Sequence, residues 1–380
     1  MRSRSRATAL TALAALALLL ASCSTESGPE NGQNSLRPKG KYAEEIDNLF
    51  TPIFWAAVVI GILITGAVVY AAIRFRRRSD DERPQQIHGN TPLEIGWTLV
   101  PALILAVIAV PTVSTIFSLA EEPKDPIEIT AIGKQWWWQF DYPKDANGAK
   151  VVTSGEMHIP VDRDVLVTLK ACDPSLPGGF NGGPGCNVLH SFWVPELAGK
   201  RDVVPGRDNQ LKLQADEPGV YLGQCAEYCG LSHANMRFRV IAQEADDYEA
   251  WLAGQRDDPA VALADAGDAE ELFSTKFGCT NCHTTETSSI STYGPNLTHL
   301  ASRTTFASGE YELTRDDLIQ WILDAPSLLP MQSEDCRIGL PPIATCVGMP
   351  SFTKDTPKGD YPVMTRREAE ALADYLLELT

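Results

Sequence analysis

Apolar residues gather into three long runs in the first third of the chain and thin into short alternating segments after it. The first run, Ala7 to Leu20, follows Arg2, Arg4 and Arg6 and ends in Leu20-Ala21-Ser22-Cys23. A basic start, a short apolar body and small terminal residues read as an export signal over residues 1–22. The other two runs, Asn48 to Ile73 and Ile95 to Ala120, contain no charged residue. At ~1.5 Å of rise per residue, each is long enough for a helix to cross a hydrocarbon core about 30 Å thick. Arg74, Arg76, Arg77, Arg78 and Arg83 fall between them. Such a cluster marks the cytoplasmic side, so both outer flanks face the exterior. Residues 48–120 are therefore predicted as a transmembrane hairpin, with residues 23–47 as an extracytoplasmic linker. A buried soluble hairpin is the competing reading, which the arginines oppose.

Beyond Ile127 the period shortens. Seven runs rich in β-branched and aromatic residues, from "IEITAIGKQWWWQFDY" to "MRFRVIAQ", alternate with turn residues. They predict a Greek-key β-sandwich or barrel over residues 121–245. Helical spacing then returns. Leu272, Phe273 and Phe277 share one side of a short helix, and Ala369, Leu372, Tyr375 and Leu376 repeat along Thr365–Leu379. The predicted fold class is multi-domain: hairpin, sandwich, then an all-α region over residues 268–380.

Charge adds a boundary and an exclusion. The net charge is −17, and residues 241–280 hold ten acidic side chains against one Arg and one Lys. Nucleic acid is disfavoured as a partner, while a basic protein could be steered. Residues 246–267 read as an acidic, solvated linker.

Nine cysteines remain to be placed. In an oxidising compartment each is expected to be paired, modified or metal-bound. Cys23, after small residues, resembles a bacterial lipobox, which implies lipid on that residue. Cys279-Thr280-Asn281-Cys282-His283 is the C-x-x-C-H signature of covalent haem c: the thiols add to the vinyl groups and the histidine ligates iron. A zinc or redox pair is the competing reading. The flanks resemble the small cytochrome c domain, which implies Met349, in Met349-Pro350, as the distal ligand. Met331 and Met364 are then packing residues, and His299 a polar surface residue. Cys172–Cys186 brackets a Gly/Pro-rich loop and Cys336–Cys346 the segment "RIGLPPIAT". Each pair is predicted as a disulfide stapling a loop that has little core of its own.

That leaves Cys225 and Cys229 in "QCAEYCGLSHANM", with His233 and Met236 beside them. His190 begins another predicted strand. Two thiolates and two histidines would satisfy zinc, but a thioether beside thiolate and imidazole points to copper. Two cysteines exceed what one blue-copper ion uses and could bridge two ions. A Cys225–Cys229 disulfide also remains open.

The stretches "LEIGWTLVPALIL", "GKQWWWQFDYP", "LHSFWVPELAGKRDVVPGR" and "GQCAEYCGLSHANMRF" together resemble cytochrome c oxidase subunit II from about residue 45 to 245. The resemblance implies a cupredoxin-like sandwich carrying the dinuclear copper centre CuA. It implies His190, Cys225, Cys229, His233 and Met236 as side-chain ligands, with Glu227 through its carbonyl. The Glu227 carboxylate would face a magnesium site shared with the catalytic subunit. Trp136 matches the residue that admits electrons, although Lys134-Gln135-Trp136-Trp137-Trp138 stands where relatives often have His-Gln-Trp-Tyr-Trp. Glu94 matches a glutamate near the mouth of a proton channel, against an ordinary interfacial acid. His88 and His158 carry no motif and are expected at the surface.

The implied function is an electron-accepting subunit of a proton-translocating oxidase in a bacterial plasma membrane, with both terminal regions outside. The implied donor is a cytochrome c or cytochrome bc complex, and the implied partners are catalytic subunit I, subunit III and lipid. Fusion through a linker would keep delivery intramolecular at high effective concentration. A quinol oxidase subunit would lack the copper ligands. A CuA-containing nitric oxide reductase subunit and a lipid-anchored electron carrier are the competing functions.

Overall fold

The computed structural model describes residues 32–77, 79, 86, 88–146, 148–171, 188–287, 293–331, 347–353 and 362–380. The export signal, Cys23, Arg78, Arg83 and both expected disulfides, Cys172–Cys186 and Cys336–Cys346, lie outside these residues.

The two apolar runs form α1 (Lys41–Arg74) and α2 (Thr91–Ala120), whose large side chains are exposed along most of their length. Surfaces of this kind are stable only against lipid or another apolar partner. Helix α1 starts well before its apolar run. Its first turn buries Tyr42 and Ala43, and the Tyr42 hydroxyl donates to Asp164 at 2.8 Å. At the end of α2, Lys212 Nζ donates to the carbonyls of Ser118 and Glu121 at 3.2 and 2.6 Å. Asp164 and Lys212 both belong to the β region, so the hairpin is fastened to it at both outer ends.

Among the described residues the β region has ten strands: β1 (Ile127–Lys134), β2 (Trp137–Asp141), β3 (Val152–Ser154), β4 (Glu156–Pro160), β5 (Val165–Lys170), β6 (His190–Trp193), β7 (Arg201–Val203), β8 (Asn209–Leu213), β9 (Gly219–Cys225) and β10 (Arg237–Gln243). They form two five-stranded sheets in the orders β3-β2-β1-β5-β8 and β4-β10-β9-β6-β7. The β1–β5 and β4–β10 pairs are parallel and the others antiparallel. Two predicted runs each split. "IEITAIGKQWWWQFDY" turns back between β1 and β2, and Gly155, at φ 79°, sends β3 and β4 into different sheets. Inward residues interleave between the sheets, with Trp138 against Phe192 at 5.3 Å and Phe192 against Phe238 at 4.5 Å. Burying side chains of this size stabilises by about 1.5–3 kcal/mol each.

The acidic segment begins as helix α3 (Ala245–Gly254), not as slack chain. Tyr248 and Leu252 are buried, and Trp251 stacks on His158 with ring centres 4.0 Å apart. His158 is therefore buried rather than superficial, with Nδ1 2.7 Å from Gln243 Oε1. His88 is exposed as expected.

The C-terminal region has its own core. Helix α4 (Asp268–Glu270) runs into π-helical turns over Glu271–Lys276, followed by a short hairpin, β11 (Thr305–Phe306) and β12 (Tyr311–Glu312), then α5 (Arg315–Leu328) and α6 (Arg366–Leu376). Phe273, Phe277, Ile319, Leu372 and Tyr375 pack together. A capping box starts α6: Thr365 accepts from the Glu368 amide, and the Glu368 carboxylate accepts from Thr365. His299 is buried, next to buried Leu300, rather than on the surface.

Candidate metal centre

Strand pairing brings the distant donors together. His190 heads β6 and Cys225 ends β9, and these strands are neighbours in one sheet. The loop after β9 returns to β10 through a short turn over His233–Asn235, closed by the Cys225 amide donating to the Met236 carbonyl at 2.9 Å. His190 Nδ1 lies 3.8 Å from Cys225 Sγ. The two sulfurs are 3.8 Å apart, too far for a disulfide bond. Cys225 Sγ is 3.2 Å from the Glu227 carbonyl, and Cys229 Sγ is 3.6 Å from His233 Nδ1 and 3.7 Å from Met236 Sδ. All six predicted donor atoms thus converge, from residues that are buried except for half-buried His233 and the exposed Glu227 side chain.

The chemistry of the set suits a soft cation. The Cys225 thiol is held low, chiefly by the hydrogen bond from Cys229 and against the effect of burial, with help from His190. Cys229 is pushed far up by that same bond, by burial and by its neighbour's charge. A bound cation is what holds both thiols of such a pair deprotonated. Two thiolates, two imidazoles and a thioether fit copper better than zinc, which would leave Met236 idle. The Glu227 carboxylate points outward and accepts from the Tyr228 amide at 3.1 Å.

Residues before β2 buttress this loop. Gln135 Nε2 and Trp136 Nε1 both donate to the Cys229 carbonyl, at 2.7 and 2.9 Å. Gly133 lies against the His190 ring, where a Cβ would come within 2.9 Å of Cδ2. Neither Gln135 nor Gly133 stands out in the sequence as a site residue. Their place beside Trp136 in "GKQWWW" is the one signal they carry.

Trp136 also borders a second site. A cavity of about 420 Å3 is lined by Cys279, Cys282, His283, Met349, Arg303 and Trp136 among others. This falls within the range of about 300–1,000 Å3 that cofactor pockets occupy. Cys279 and Cys282 sit on one tight turn, and burial pushes their thiols up to about 12 and about 11. His283 Nδ1 is 2.7 Å from the Pro295 carbonyl, which leaves Nε2 for a metal, and burial holds its pKa down. Gly294 allows that placement, since a Cβ there would lie 2.7 Å from His283 Cε1. Met331 and Met364 line the same cavity, and the Met349 amide points at Met331 Sδ, 3.3 Å away. Paired thiols, an oriented imidazole and thioethers around an apolar space fit covalent haem.

Glu94 stands in the first turn of α2, exposed, where Oε1 accepts from the Asn90 amide at 3.2 Å. Its observed contact is therefore that of a cap.

The sequence matches the family described as cytochrome c oxidase subunit II, periplasmic domain, over residues 184–243. It matches the transmembrane domain of that subunit over residues 34–115. Cytochrome c oxidase subunit 2 of Alkalihalophilus pseudofirmus is 38% identical over 327 residues, covering 83% of this chain and 87% of that protein. The Bacillus subtilis subunit is 30% identical over 340 residues, covering 84% and 88%. Both shares exceed what the first 243 residues amount to, so the likeness continues past the sandwich. The crystal structure of the periplasmic domain of subunit II of cytochrome oxidase (CoxB) of Bradyrhizobium japonicum is 28% identical and covers 35% of this chain and 95% of that one, with a TM-score of 0.29.

Proposed function

Because the chain belongs to the cytochrome c oxidase subunit II family, and so to a haem-copper oxidase complex, we propose that it joins two electron carriers in one subunit. It receives electrons from a cytochrome c, or a cytochrome bc complex, at a covalent haem c on residues 268–380. It passes them through dinuclear copper on residues 121–245 to catalytic subunit I, where oxygen becomes water.

The observation that carries this reading is Trp136, hydrogen-bonded to the Cys229 carbonyl and at the same time lining the cysteine-motif cavity. When bound, the copper pair and the haem each supply one-electron chemistry. The chain supplies position. His190, Cys225, the Glu227 carbonyl, Cys229, His233 and Met236 hold the copper, and burial keeps water from it. Cys279 and Cys282 would hold the haem covalently, with His283 and Met349 as the residues that would ligate its iron. Trp136 links the two sites. The outward Glu227 carboxylate reaches a magnesium site shared with subunit I, and Glu94 stands near the proton path. The hairpin packs against the catalytic subunit, with subunit III and lipid beside it, in a bacterial plasma membrane. Cys23 is lipidated and the terminal regions face outside. A quinol oxidase reading has no use for this thiolate and imidazole set.

Purification from membranes with metal, haem and gas-consumption assays tests the reading. Oxygen uptake with copper and covalent haem supports it. Turnover of nitric oxide alone selects the reductase, and full carrier activity without a catalytic subunit selects the lipid-anchored carrier.

A further inference from the structure

Residues 304–312 form the β11–β12 hairpin, which reaches out of the C-terminal region onto the sandwich. Its contacts land beside the copper ligands and on the wall of the second cavity. Glu156, which opens β4, is 2% exposed. Its Oε1 accepts from the Thr304 amide and hydroxyl at 3.0 and 2.5 Å and from the Thr305 amide and hydroxyl, each at 2.9 Å. Among the described residues, every hydrogen bond to that carboxylate comes from the hairpin. A carboxylate taken from water is costly unless donors answer it, so the hairpin and Glu156 are complementary only when seated together.

The hairpin tip carries a second contact. Ser308 Oγ donates to the Trp136 carbonyl at 2.7 Å. Ala307 and Ser308 hold φ of 50° and 63°, a left-handed backbone that side chains other than glycine adopt rarely and at some cost. The tip is bent against local preference, and the bend aims Ser308 at Trp136. On the far side Glu310 pairs with Arg237 at 2.9 Å. Beyond the hairpin, Ser232, next to His233, donates to the Pro330 carbonyl at 2.6 Å.

We propose that this hairpin is a latch that seats the C-terminal unit on the copper-binding sandwich, with Glu156 and Ser308 as positioning residues for electron passage between the two sites. The latch rests on the proposed function and replaces a tethered search with a fixed interval. One electron is lost at one site and gained at the other, and no bond is made or broken. A seated unit passes the electron without diffusing, so solvent viscosity does not enter. An unlatched unit must first find its seat, and viscosity then limits the rate.

The test uses the intact oxidase complex, wild type and with Glu156→Gln, Ser308→Ala and both. Haem is reduced by a flash with a ruthenium photoreductant, and oxidation of the haem is followed against reduction of the copper band in rising glycerol. Wild type is expected to be insensitive to glycerol. The double variant is expected to slow about tenfold or more, as small misplacements commonly do, and to become glycerol-dependent. Haem content, copper content and haem potential are expected to stay at wild-type values. Hydrogen exchange supplies the second readout: the Thr304 and Thr305 amides should lose protection in Glu156→Gln while α6 keeps its own. Wild-type rates, glycerol independence and unchanged protection in the double variant would overturn the latch. Should Glu156→Gln fail to assemble, Ser308→Ala, which removes one hydroxyl, decides by the same readouts. A wild-type complex without covalent haem would sink the proposed function, and exchange at Thr304 and Thr305 would still decide the latch.

Discussion

His190 and Cys225 are neighbours across one hydrogen-bonded sheet, whereas Cys279, Cys282 and His283 follow one another on a single turn. The first site joins one remote residue, His190, to a single loop over residues 225–236 and sets the two by strand register. The second takes its thiols and imidazole from one short motif, with Met349 from a distant segment, and surrounds a cavity of about 420 Å3 with side chains from several elements. Preorganisation therefore resides in the backbone at the copper site and in side-chain packing around an occupant at the other. The sandwich has a full core of its own, with Trp138, Phe140, Phe192 and Phe238 buried beside the donors. The C-terminal core, by contrast, includes the cavity's own walls, with Phe273, Phe277 and Leu372 in both.

The largest expected effect separates the two regions by their need for an occupant. Replacing Cys279 and Cys282 by Ser should abolish covalent haem and cost the C-terminal core about 3–5 kcal/mol, the scale of losing a large core group. Hydrogen exchange should show amides of α6 losing protection while those of β5 and β10 keep theirs. Equal loss in both regions would break the contrast.

A matched pair of glycines sharpens it. Gly133→Ala puts a methyl 2.9 Å from the His190 ring, and Gly294→Ala puts one 2.7 Å from the His283 ring. Displacing a ligand's support should weaken copper binding about 10–100-fold in Gly133→Ala, read by competition with a copper chelator. In Gly294→Ala the thiols still attach haem, so the shift should appear in the iron's ligand-field spectrum with haem retained.

Helix α3 tests where the boundary between the regions falls. Trp251→Ala removes the stack on His158 and, Trp251 being only half-buried, should destabilise the sandwich by about 3 kcal/mol in denaturant titrations, leaving the C-terminal transition in place. A shift confined to the C-terminal transition would assign α3 to the other unit.

The smallest effect is a pH dependence. Lys276, followed by the Thr365 backbone, holds the Glu368 carboxyl below its ordinary value of 4.5. A depressed pKa contributes stability that is present above 4.5 and lost as pH falls through the lower folded value. Lys276→Met should remove that part of the acid dependence of the C-terminal unit. Solvent screening keeps the change to a fraction of a kcal/mol.

Legibility in the sequence follows the same contrast. Four of the six proposed copper donors stand out because "QCAEYCGLSHANM" concentrates two thiols, an imidazole and a thioether. His190 begins a recognisable strand, and the Glu227 carbonyl is supplied by the resemblance to subunit II. The split at Gly155 and the strand Arg201–Val203 escape a reading of the sequence, since a three-residue edge strand carries no period. Helix α3 is readable in principle: Tyr248, Trp251 and Leu252 recur at i, i+3 and i+4, but surrounding acids mask them. His158 and His299 are buried by tertiary contacts that no local pattern announces. Residues 304–312 leave no signal either. Their importance lies in what Glu156 and Trp136, more than 140 positions earlier, present to them.

Metal and haem content of the complex purified from membranes bears most directly on the joining of two carriers in this chain. About two copper ions for each covalent haem, with a near-infrared copper band that Cys225→Ser abolishes, is the expected result. One zinc per chain with no such band, or copper without covalent haem, would contradict it.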